Sequence, residues 1–223
     1  VFSVCGVLPL GAFLVLHLVV NVRALSGDGA FAALVDRLNR TPGMAVVEWV
    51  FVFLPLAVHG ALGLVALVAR EPIVVPSPYP AGVALALRVT GAVAAVFLVL
   101  HLAEVRFRRG ATPLGGYEVA SVLDGGLSST LYGVPWRAAG YILAAACVSF
   151  HFAAGAWGIY ARSSAAVDRP KLRTWAAWGA GLVGVVLALG FGDVVVYRAT
   201  GARLFGDGAT GAGAATGKCP AGP

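Results

Sequence analysis

The sequence predicts an all-α protein that crosses a membrane five times. Of its 223 residues, 59% are hydrophobic and 12% charged, about half the charged fraction of a soluble domain. Several apolar runs exceed the ~20 residues a helix needs to cross a bilayer. These runs lack strand alternation, and of the two architectures that satisfy every backbone group in lipid they therefore favour helices over a barrel.

The spans follow in order, with ends good to a few residues. The first covers about residues 2–22 and is too rich in Gly and Pro, and too free of a cleavage site, to be a signal peptide. The chain opens at Val1 with no Met, so further residues are expected upstream. The link 23–44 contains GDGAFAALVDRLNRTPG, where Phe31, Leu34, Val35 and Leu38 have helical spacing. A short surface helix is expected there, starting near Asp28 and stopped by Thr41-Pro42-Gly43. The second span covers about 45–69. The link 70–82, REPIVVPSPYPAG, has four prolines and is extended or turn-like. The third span covers about 83–105. The link 106–135 is polar, with RFRRG at its start and GG pairs at 115–116 and 125–126. The fourth span covers about 136–161, the compact basic link RSSAAVDRPKLR follows, and the fifth covers about 174–197. The domain so defined ends near residue 198. The tail 199–223, with GDGATGAGAATG, is low in complexity and reads as disordered or partner-bound. No internal repeat is visible.

Charge and cysteine content exclude several function classes. The net charge of +6 is spread over span ends, where Lys and Arg anchor helices at the interface. It forms no aromatic-interleaved patch, so no nucleic-acid partner is expected; the lipid bilayer is. Cys5, Cys147 and Cys219 fit no CxxC or CxxCH spacing, which argues against thiolate metal sites and covalent c-type haem. The links 70–82 and 162–173, with Arg88, carry six Lys/Arg, and the opposite face carries ten. Taken alone, the positive-inside rule assigns the second face to the cytoplasm.

The chain has only four histidines, His17, His59, His101 and His151, one in each of the first four spans. Ionisable groups at such positions are functional-site hypotheses by default. At ~1.5 Å rise per residue, His17 and His101 both lie roughly 6–8 Å inside one face. His59 and His151 share a second level, roughly 12–15 Å away along the membrane normal. Four unrelated hydrogen-bonding histidines would not need to match in depth. Two imidazoles at one depth suit a six-coordinate b-type haem, and the first four spans then form a haem-binding bundle. Gly11, Gly60, Gly63, Gly91 and Gly155 would let a macrocycle approach the backbone. Arg23, Arg88, Arg106 and Arg137 lie near span ends, within reach of propionates. Zinc is disfavoured: neither level has a cysteine set, and the inner one lacks a carboxylate.

At these residues the sequence resembles the single-chain, five-helix, di-haem cytochrome b subunit of bacterial succinate:menaquinone oxidoreductases and fumarate reductases. The matching segments are SVCGVLPLGAFLVLHLVVN, EWVFVFLPLAVHGALG, LRVTG followed by the span-three histidine, and SFHFAAGAWG. In order and spacing they cover most of residues 3–160; the fifth span and tail match only in general character. The resemblance implies a membrane anchor, not an enzyme for the dicarboxylate on its own. Its partners would be a flavoprotein subunit and an iron–sulfur subunit, and its cofactors two haem b. Electrons would pass through the haems to or from menaquinone. It implies His59 and His151 as ligands of the proximal haem, nearer the iron–sulfur subunit, and His17 and His101 as ligands of the distal one. It also implies a bacterial cytoplasmic (inner) membrane with the N-terminus inside, against the raw arginine count. Haem propionates and an outward quinone site give some outer arginines another purpose.

Three acids bear on quinone protons. Glu48 opens span two, and Glu104 lies one turn beyond His101, both near the distal level. Asp193 sits inside span five and needs a partner. Some relatives of the resembled family are thought to return protons through a glutamate on the fourth helix. Span four here has no carboxylate, with Ser149 two residues before His151. The main alternative is a di-haem cytochrome b anchor of hydrogenase or formate dehydrogenase type. Those often carry two ligands on one helix, whereas this chain has one per helix. A transporter lacks support from broken-helix repeats.

Overall fold

The computed structural model describes residues 6–68, 78–110, 112–163 and 169–205. Residues 2–5 of the first span, most of the proline-rich link, part of the basic link, and the Gly/Ala tail beyond residue 205 lie outside the described residues. Among the described residues, five helices are long and apolar enough to cross a membrane. Helix α1 is Pro9–Val22, extended by a 3₁₀ turn, Arg23–Ser26. Pro9 stands in its first turn, where a missing N–H costs nothing. Helix α2, Asp28–Arg40, is the surface helix the sequence predicts. It buries Phe31 and Ala32, keeps Asp28 in its first turn, and ends in Arg37 and Arg40, each charge favourable to the helix dipole.

Helix α3 runs Met44–Val68 and changes pitch within itself. A π-helical turn, Trp49–Phe53, separates Met44–Glu48 from Leu54–Val68. Pro55 explains it: proline has no N–H for the carbonyl four residues back, Phe51, and its ring crowds that oxygen. Helix α4, Ala81–His101, also ends in a π turn, Leu102–Arg106, closed where Phe107 N–H donates to Leu102 O at 2.8 Å.

The link 106–135, read from the sequence as polar with no element assigned to it, has an element of its own. It contains helix α5, Gly116–Leu127. Gly116, Ala120, Leu123 and Leu127 form its buried face, a helical spacing that the two GG pairs obscure. Its start is capped from outside: Asp36 Oδ1 of α2 accepts from Gly116 N–H at 2.8 Å. Glu118 Oε2 accepts from Gly115 N–H at 3.0 Å. A Cβ on Gly116 would collide with the backbone of Ala32, so this glycine is what lets α2 and α5 touch.

Helix α6 is Trp136–Ala161 and helix α7 is Pro170–Thr200. The fifth span is thus longer at both ends than about 174–197. Its 31 residues rise about 46 Å, more than the ~30 Å hydrocarbon core. Helix α7 packs on α6 through small residues. A Cβ on Gly184 would lie 2.9 Å from Ala153 Cβ and 3.3 Å from Ser149 O, the close backbone approach that drives helix association in lipid. In contrast, α3 has no buried residue in its most apolar stretch.

The end that carries α2 and α5 is closed by polar bonds. Arg198, 3% exposed, reaches Asp124 at 2.9 Å and Asp28 at 3.7 Å, with its guanidinium 4.5 Å above the Phe31 ring. Asp193 Oδ1 accepts from Leu204 N–H at 2.6 Å, tying the chain after α7 back onto the helix.

Candidate functional site

Helices α1, α3, α4 and α6 each contribute one histidine, and the rings meet in twos. His17 of α1 faces His101 of α4, with ring centroids 6.0 Å apart and planes at 80°. His59 of α3 faces His151 of α6 at 6.1 Å and 78°. Spans one and three run in the same direction, as do spans two and four, so each couple joins residues at like distances from the ends of two parallel helices. All four are half-buried.

The second ring nitrogen of two of these residues is anchored. His151 Nδ1 lies 3.1 Å from Leu87 O, and His101 Nδ1 lies 3.2 Å from the Tyr141 hydroxyl. With Nδ1 protonated and donating, Nε2 is left as a free lone pair, the arrangement usual for metal-bound imidazole. Aromatic rings hold the outer pair in place. Phe13 stacks on His17 at 5.3 Å, Phe97 on His101 at 5.3 Å, and Phe191 lies 5.9 Å from His17.

These distances fit a bis-histidine haem. Centroid spacings of 6.0 and 6.1 Å leave room for a metal ion between the two rings of each couple, at metal–nitrogen bonds of about 2.0–2.1 Å. Among the described residues no group of three or more His, Cys, Asp or Glu comes together. A pair therefore offers two ligands, and a porphyrin would supply the others. Gly91 and Gly6 press against the inner pair. A Cβ on Gly91 would lie 2.8 Å from His151 Cε1, and one on Gly6 would lie 2.6 Å from His59 Cε1. Of the other glycines named from sequence, Gly11 abuts Phe152, Gly155 faces Val7 at 3.9 Å, and Gly60 meets open space.

The end of the bundle nearest the His17–His101 couple gathers two of the three predicted acids and two of the predicted arginines into pairs. Arg106 clasps Glu48 with two bonds of 2.8 Å, and its guanidinium lies 5.3 Å from the Phe107 ring and 5.8 Å from that of Phe53. Arg137 pairs with Glu104, whose other oxygen accepts from the Tyr141 hydroxyl at 3.2 Å. Both π turns lie here, flanking Glu48 and containing Glu104, and such turns recur at functional sites. Arg23 and Arg88 are exposed, and Asp193 is engaged by Leu204 rather than by either acid–arginine pair.

Sequence reasoning missed Tyr141 and an aromatic group at the opposite end. Tyr79 donates its hydroxyl to Ala154 O at 2.9 Å and packs on Trp157 at 5.3 Å, over Gly158, where any Cβ would collide with the Tyr79 ring. Burial pushes the Tyr79 hydroxyl above the ordinary phenol range, with Arg162 pulling the other way. Arg173 lies 5.7 Å above the Trp157 ring. Nothing in hydropathy or spacing marks these contacts; they arise from helix packing.

Five apolar helices with two facing histidine pairs define a multi-pass membrane protein built around paired imidazole sites. The chain belongs to the succinate dehydrogenase cytochrome b subunit family: it is 31% identical over 156 residues to the succinate dehydrogenase cytochrome b558 subunit of Bacillus subtilis (strain 168), covering 70% of this chain and 73% of that protein. No family model and no solved structure matches it.

Proposed function

We propose that this membrane-anchor subunit carries electrons through two b haems between the iron–sulfur subunit of succinate dehydrogenase and menaquinone, in a bacterial cytoplasmic membrane. The observation that carries the reading is the pair of facing imidazole couples, at 6.0 and 6.1 Å, on four separate helices. Bound haem would supply the one-electron chemistry. His59 and His151 would hold the proximal group on the side of the iron–sulfur and flavoprotein subunits. His17 and His101 would hold the distal one. One ligand per helix favours this reading over an anchor of hydrogenase or formate dehydrogenase type.

Menaquinone reduction takes up two protons with two electrons, so its site needs a proton-handling group near the distal pair. Glu48 is suited to that part. It opens a membrane span, it is held by Arg106, and Phe53 and Phe107 lie beside the pair. Arg106 and Arg137, each bonded to a carboxylate, would reach a propionate only by sharing it with that acid. Exposed Arg23 and Arg88 have no such competition within these acid pairs. The bond from Asp193 to Leu204 supports a tethering part for that acid rather than a proton-handling one.

A dithionite-reduced spectrum with haem quantification tests the proposal. Two b haems per chain are expected. His17→Ala or His101→Ala should remove one, and His59→Ala or His151→Ala the other. No b haem, or one per chain, sinks the di-haem assignment.

A further inference from the structure

His101 and His151 differ in what stands behind them. Behind His151 is a neutral backbone carbonyl, Leu87 O, at 3.1 Å. Behind His101 is a chain of three side chains ending in a charge pair. His101 Nδ1 lies 3.2 Å from the Tyr141 hydroxyl, that hydroxyl donates to Glu104 Oε2 at 3.2 Å, and Glu104 Oε1 is bound by Arg137. Phe97 packs edge-on to Tyr141 at 4.9 Å and flat on His101, which fixes both rings in this register. Glu104 is one turn beyond His101 on α4, and Tyr141 one turn beyond Arg137 on α6, so the neighbouring helices interleave the four residues.

We infer that Tyr141 is a positioning residue for the distal haem: it orients His101 and relays the carboxylate of Glu104 to the ligand ring, lowering the reduction potential of that station alone. This rests on the di-haem reading above. With Nε2 turned to the iron, Nδ1–H donates to the phenol oxygen while the phenol O–H donates to the carboxylate. Each bond polarises the next. The imidazole becomes a stronger donor, as carboxylate-backed histidines are, and the ferric state gains over the ferrous. Arg137 holds the carboxylate in register from its other oxygen. No proton leaves any group. His151 is backed by a carbonyl, and the Tyr141–Glu104 chain reaches His101, so its effect falls on the His17–His101 station.

The test is a redox titration of the assembled complex, comparing wild type with Tyr141→Phe and Glu104→Gln. The distal band is assigned as the one lost in His17→Ala. Tyr141→Phe keeps the ring packing on Phe97 and removes the relay. Glu104→Gln keeps the shape and removes the charge. Each variant that retains both haems is expected to shift the distal midpoint upward and leave the proximal midpoint in place, with the larger shift in Tyr141→Phe. If one variant loses the distal haem, the direction of the other decides. An unmoved or lowered distal midpoint in any variant with both haems overturns the inference, as does loss of the distal haem in both variants, which would mark the chain as structural. A wild type lacking two haems counts instead against the di-haem reading.

Discussion

Gly91 lies under His151 because α4 and α6 cross there, and the crossing leaves no room for a side chain. A Cβ would come within 2.8 Å of the ring, so Gly91→Ala must turn the imidazole or part the helices, at about 1–3 kcal/mol for overpacking. On the di-haem reading, we expect the variant to broaden or shift the absorption band of the haem assigned to His59 and His151, and to lower the thermal midpoint. Gly179, exposed and with nothing near its Cβ position, provides the control. Gly179→Ala should leave the spectrum alone and gain up to ~1 kcal/mol from helix propensity. The same contrast bears on the histidines. Their residue type was visible in the sequence, and so was their depth, because a helix converts sequence distance into height at a constant rate. The phenol behind His101 was not visible, since a tyrosine near an interface is ordinary composition there.

Helices α2 and α5 close one end of the bundle, and their hold on it runs through Arg198. The guanidinium is nearly inaccessible and joins α7 to Asp124 of α5 and Asp28 of α2. Two of its nitrogens, Nε and Nη2, have no partner among the described residues. Removing Arg198 deletes a charge-assisted tie between three helices, while the acids it leaves, Asp124 and Asp28, are 29% and 32% exposed and can rehydrate, so the cost is about 1–3 kcal/mol. Arg198→Met should therefore release α2 and α5, seen as faster proteolysis within 106–135 and a lower unfolding midpoint, while, on the di-haem reading, the absorption of the haem assigned to His59 and His151 stays as in wild type. Helix α2 could be read from its apolar spacing and its stop signal. Helix α5 could not, because its glycines argue against a helix until Asp36, eighty residues away in sequence, caps its first turn.

Across the bundle, packing is uneven. Helices α6 and α7 are joined tightly through Ala153, Ser149 and Gly184, whereas α3 buries nothing in its apolar stretch. If haem forms the missing part of that core, the cofactor stabilises the folded bundle by mass action. Haem-depleted protein should then be cleaved faster beside 44–68 than elsewhere, and haem addition should reverse it, as limited proteolysis with mass spectrometry would read. Equal protection with and without haem would remove α3 from the haem-lined core.

Five spans, their order, the surface helix and the pairing of the histidines follow from the chain alone. Hydropathy over ~20 residues and a fixed rise per residue are local properties, and local properties are written in the order of residues. The partners are not. Arg106 with Glu48, Arg137 with Glu104, His101 with Tyr141 and Arg198 with Asp124 join residues 33 to 74 positions apart. Which acid meets which base depends on how neighbouring helices rotate about their axes, and that rotation is set by small residues at the crossings rather than by any one segment. The positions of the histidines could thus be calculated in advance, while the groups that orient and charge them became visible only once the helices were packed.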